Sequence, residues 1–183
     1  MNAWFMVKNT RDEGRKTICQ AIAGAEGDNL AMFHPSQADV RRFFCAAYAK
    51  SQADHPMEAI ETLASLWIAE HPEYHLELAD VEAALRALEL ETVQNTAPDG
   101  GSTTNTFMHL SMHLTLSEQC SIDQPRGIRQ AIGLLTARLG DLHAAHHAAM
   151  DCLGQMVWEA QRSAKAPDGN AYIDCVQRRA TRD

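Results

Sequence analysis

The stretch GDLHAAHHAAMDCLGQMVWEAQRSA, residues 140–164, decides the fold. Gly140 suits the left-handed residue that ends one helix. Asp141 suits the N-cap of the next, because its carboxylate can accept from the free N–H groups of the first turn. From Leu142 to about Ala164 no proline interrupts a run rich in alanine, leucine, methionine and glutamine, so a long helix is expected there.

The same grammar extends in both directions. Asn105 caps a helix from Thr106 to about Ser121, and Asp123, Gln124 and Pro125 restart the chain into a helix ending at Leu139. Asp168 opens a last helix through Val176. Upstream, Ser36 with Asp39 forms a capping pair, and Val40, Phe43, Phe44, Ala47 and Tyr48 recur at amphipathic helical spacing. Pro56 suits a first helical position, and Ile60, Leu63, Ala64, Trp67 and Ile68 line one face until Pro72. Glu73 to Leu78 reads as a turn, and Asp80 opens a helix with Val81, Ala84, Leu85 and Leu88 inward. Residues 91–106, ETVQNTAPDGGSTTNT, read as a loop. Strand-like alternation occurs nowhere. The expected class is all-α, a compact bundle of five to seven helices with no sheet.

Length and composition bound the rest. The 183 residues suffice for one core. A single helical domain is expected over 32–178, with a weakly ordered extension at 1–31, for which Met32 is an alternative start, and a tail at 179–183. The net charge of −8 lacks the footprint of a nucleic-acid or anionic-membrane binder. No apolar run approaches the ~20 residues of a membrane span. Five scattered cysteines without a CxxC pair signal neither a zinc ribbon nor a disulfide framework. Cys120 and Cys152 read as small core residues, and a reducing cytoplasm is the default location. Trp67, Trp158, Met108, Met112, Met150 and Met156 sit at helical spacing and read as packing. No GxSxG, phosphate loop or EF-hand appears.

The nine histidines are the distinctive feature. Random placement gives roughly 0.4 pairs four residues apart, whereas three occur: His71/His75, His109/His113 and His143/His147. On a helix such a pair projects from one face. Two facing pairs bring four imidazoles around one volume, a ligand set for zinc or non-haem iron. Asp151 lies about 40° from His147 around the helix and could add a carboxylate, while Glu118 points elsewhere. Pro72 drives His71 out of helical geometry, so His75 is the member of that pair expected to reach the cluster. His34, His55 and His146 read as ordinary solvated or hydrogen-bonded histidines.

Four motifs together resemble a known family: HPEYH (71–75), TNTFMHLSMHL with EQ (104–119), SIDQPRGIR (121–129) and GDLHAAHHAAMDCLGQMVWEAQR (140–162). The chain resembles the bacterial domain of unknown function 1841 family from MFHPSQADVRRFF (32–44) to about residue 178. The resemblance implies a small cytosolic helical protein and no established activity. His71, His75, His109, His113, His143, His147 and Asp151 fall on its motif positions. Thr106 stands where the family typically has proline, and Gln155 where it often has glutamate.

Two functions fit this reading. In the first, a transition metal, iron or zinc, binds between the two HxxxH helices through His109, His113, His143, His147, Asp151 and His75. Iron would bind or activate oxygen species, zinc would polarise a water, and sensing without turnover is equally open. In the second, the protein is a non-catalytic interaction module whose helical surfaces bind a protein partner or a second copy, with structural histidines.

Overall fold

The fold is that of a computed structural model, described over residues 35–94 and 105–181, with the side chains of 91–94 left aside. The expected extension at 1–31, His34 and most of the loop after residue 94 lie outside the described residues. Among those described there are eight α-helices and no strand: α1 Gln37–Gln52, α2 Ala59–Ala69, α3 His75–Leu78, α4 Val81–Gln94, α5 Thr106–Ile122, α6 Ile128–Leu139, α7 Leu142–Ser163 and α8 Gly169–Thr181. The chain is all-α, as its periodicity predicts.

Most helix starts follow from their caps. Ser36 and Asp39 close a reciprocal capping box on α1. The side chains of Asp80, Asn105, Asp141 and Asp168 each accept from the first turn of the helix that follows. Gly140, at φ 76°, takes the left-handed conformation that ends α6. Several boundaries differ from expectation: α4 runs on to Gln94, through residues read as a loop, and α6 begins at Ile128, after Pro125. Helix α2 begins at Ala59, not at Pro56, because Glu58 and Glu61 form the capping box there. Helix α8 runs on to Thr181, past Val176. The eighth helix is the short α3, read from sequence as a turn: Pro72 starts a 3-10 turn, Pro72–Tyr74, and the chain continues helically from His75.

The buried apolar residues form two clusters. One joins α1 to α4 with the first half of α5 through Phe44, Trp67, Ile68, Leu78, Phe107 and Leu110. The other joins α6, α7 and α8 to the second half of α5 through Leu116, Ile132, Leu135, Leu153, Tyr172 and Val176. Helix α5 serves both, and Leu142 at the start of α7 packs against each. Buried Arg41 of α1 donates to the Ala84 carbonyl at 3.0 Å and lies over the Phe107 ring, binding α1 to α4 and α5. Tyr172 of α8 donates to Gln119 Oε1 at 3.0 Å across the second cluster.

Three sequence expectations are corrected here. Cys152 is no free core thiol: it forms a disulfide with Cys175, linking α7 to α8. The two cysteines are 23 residues apart on different helices, a separation that no local motif encodes. Met108 and Trp158 are largely exposed rather than packed in the core. Among the described residues no helix is long and apolar enough to cross a membrane.

Candidate metal centre

The histidines gather where the two clusters meet. Asn105 starts α5, so His109 and His113 stand one turn apart on its first half. Asp141 starts α7, and His143 and His147 follow in its first turns. The third contribution comes from the chain between α2 and α3. His71 precedes Pro72, its backbone is non-helical at φ −127° and ψ 65°, and its ring is buried.

Five Nε2 atoms meet in series. His143 and His71 approach to 3.0 Å, His71 and His113 to 2.9 Å, His113 and His109 to 3.2 Å, and His109 and His147 to 3.1 Å. Nitrogens of His71, His109, His113 and His147 all lie within 4.8 Å of one another, and this group contains no carboxylate. His113 is 0% exposed, whereas His147 is open to solvent. Trp67 stacks on the His113 ring at 4.2 Å and donates through Nε1 to Ser117 Oγ. Tyr74 stacks on His71 at 5.1 Å.

Proton accounting decides what such an array can do. A neutral imidazole nitrogen either donates one hydrogen or offers one lone pair. Glu73 Oε1 stands 2.8 Å from His71 Nδ1. A carboxylate only accepts, so that nitrogen carries the hydrogen and Nε2 of His71 is a lone pair. Glu70 Oε2 faces His143 Nδ1 at 3.7 Å and favours the same tautomer. With that tautomer two lone pairs would confront each other at 3.0 Å. Even strict alternation along the series leaves three donors sharing two lone pairs. Burial, followed by the neighbouring imidazoles, lowers His109 to about 4 and pushes His113 and His147 down as well, so these three rings stay neutral near pH 7.

One cation could satisfy the inward lone pairs of His71, His109, His113 and His147 at once. Nitrogens about 2.1 Å from an ion stand roughly 3.0 Å apart at right angles and roughly 3.4 Å apart at the tetrahedral angle. The observed 2.9 to 3.2 Å is close to these spacings, as expected of nitrogens placed to share one ion. Carboxylates on the outer nitrogens of ligating histidines are the usual support for such ions, fixing the tautomer and raising basicity. Hydrogen bonding to His71 also holds the Glu73 carboxyl below its ordinary range.

Of the residues singled out in sequence, the structure brings together His109, His113, His143 and His147. It leaves out His75 and Asp151. The His75 ring bonds to the Ile68 carbonyl at 3.0 Å and packs on Tyr48, because α3 turns it back toward α1. Asp151 pairs with Arg179 of α8 at 2.9 Å. Its angle around α7 is right, but it sits about 6 Å farther along the axis than His147.

Two participants escaped the sequence reading. His71 is central precisely because it is not helical, so a search for helical faces passes over it. His146 is buried, with Nδ1 3.3 Å from His113 Nδ1. Its position three residues after His143, on the same side of the helix, was the available signal. His55 is exposed, as expected.

Searches of curated proteins and of solved structures each return no match. The model of one family matches residues 36–178, most of the chain, and the protein therefore belongs to the family described as Domain of unknown function (DUF1841).

Proposed function

We propose that this protein binds one transition-metal ion, zinc or iron, through His71, His109, His113, His143 and His147. The observation that carries the reading is the run of inward Nε2 atoms at 2.9 to 3.2 Å with a carboxylate 2.8 Å behind His71. Imidazole suits both metals. Bound zinc would polarise a water, and bound iron would bind or activate oxygen species. The chain's own part is to present inward lone pairs. Trp67 and Tyr74 wall the buried rings, Glu73 sets the tautomer of His71, and Glu70 and Glu73 would offset the ion's charge.

Elemental analysis of untagged protein tests this. Near-stoichiometric zinc or iron is expected in the wild type and in Asp151→Ala, with loss of most metal in His71→Ala combined with His113→Ala. Visible or near-ultraviolet absorption would mark iron. Wild type that takes up neither ion after incubation with each, or metal content indifferent to the double substitution, would overturn the proposal.

A further inference from the structure

The five rings are not held alike, and this difference, which rests on the metal reading above, separates permanent ligands from an exchangeable one. Two rings have a hydrogen-bond partner behind the coordinating edge, His71 with Glu73 at 2.8 Å and His113 with His146 at 3.3 Å. His143 has the Glu70 carboxylate 3.7 Å away, in ion-pair range but beyond a hydrogen bond. His71 and His113 are also buried and each lies against an aromatic ring. Their orientation is set before any ion arrives.

His109 and His147 differ. Among the described residues neither has a hydrogen-bond partner at Nδ1, and their Nε2 atoms meet only other histidines. His109 is half-buried, with the Tyr74 ring edge-on at 5.8 Å. His147 is exposed, and its ring contacts are the cluster's own imidazoles. An imidazole with no outer partner loses its rotamer freedom on coordination and regains it on release, so it is the ligand that leaves most cheaply.

We infer that His147 is the exchangeable ligand of the centre, and that a small anion enters from solvent by taking its place on the ion. The other four histidines hold the metal through the exchange. The edge marked by His147 is thus the binding face, and ligands of few atoms are its chemical class, because the remaining rings close the volume behind it.

Cobalt(II) and azide provide the probes. Wild-type protein is loaded with Co(II), its stoichiometry is measured, and azide is titrated while the visible spectrum is followed. A saturable spectral change is expected. His147→Ala should keep about one cobalt per chain and bind azide at least tenfold more tightly, and free imidazole should compete with azide in that variant. His71→Ala should bind cobalt at least a hundredfold more weakly. His147→Gln serves as a second variant, and circular dichroism checks the fold of each.

The inference is overturned if loaded wild type and His147→Ala are both blind to azide. It also falls if the two His147 variants lose cobalt as severely as His71→Ala, or if vacating position 147 leaves azide affinity unchanged. These results, with wild-type loading intact, leave metal binding standing. Failure of wild type to take up cobalt, zinc or iron removes both readings together.

Discussion

Glu73 is more than half exposed, yet it bonds to a histidine ring that is almost wholly buried. That contact fixes which nitrogen of His71 carries its hydrogen, and so which one faces the centre. Replacing the carboxylate with an amide keeps the size and an acceptor oxygen but removes the charge. Glu73→Gln should therefore weaken metal binding by roughly 10- to 100-fold, measured by competition with a chromogenic chelator. The secondary structure should not change, because the amide keeps the acceptor oxygen that serves the backbone of this turn. At this scale the sequence was only partly legible. Paired histidines on a helix could be read as a face, which located His109, His113, His143 and His147. Angular reasoning ignores axial rise, which is why Asp151 looked eligible although it pairs with Arg179. It also has no purchase on a residue before proline, so His75 was preferred to His71. Burial of Arg41 against Ala84 and Phe107 had no local signature either.

Helix α7 shows how one terminal side chain positions several rings. Asp141 accepts from the Ala144 N–H at 2.8 Å, and this bond holds its carboxyl below the ordinary range. The turn it closes carries His143, with His146 and His147 just beyond. Asp141→Ala should lower the midpoint of urea denaturation, because the first turn loses its cap. It should also reduce metal affinity measurably, because a frayed turn must be reordered before His143 can coordinate. Asp141→Asn should recover most of the stability, since an amide oxygen still caps. Caps were the most legible feature of this chain, since capping chemistry is confined to three or four residues. The 3-10 turn and α3 were not: after a proline, the choice between turn and short helix depends on what Leu78 packs against, and that partner is distant in sequence.

Across the molecule, the centre occupies the junction of the two apolar clusters. His71 belongs to the segment packed with the first, α7 to the second, and α5 to both. A bound ion is therefore a cross-link between them. Ligand occupancy stabilises the folded state by about 4 kcal/mol when free metal is a thousandfold above its dissociation constant. Stripping the ion with a chelator should lower the melting temperature and broaden the calorimetric transition. Hydrogen exchange should accelerate first around residues 70–75 and the start of α7, with the interior of α6 and α8 least affected. Chain length carries no sign of the division of the core, since that depends on which half of α5 meets which helices.

The indole of Trp67, stacked 4.2 Å from the His113 ring and within 6.0 Å of the His143 ring, is an optical probe already installed beside the proposed ion's position. Paramagnetic ions quench the emission of a fluorophore this close, whereas zinc, with a filled d shell, does not. Trp158 is exposed on the far part of α7, and a phenylalanine in its place, with another at Trp4, would leave a single emitter. Loading could then be followed continuously in dilute solution, and the two candidate metals told apart by brightness.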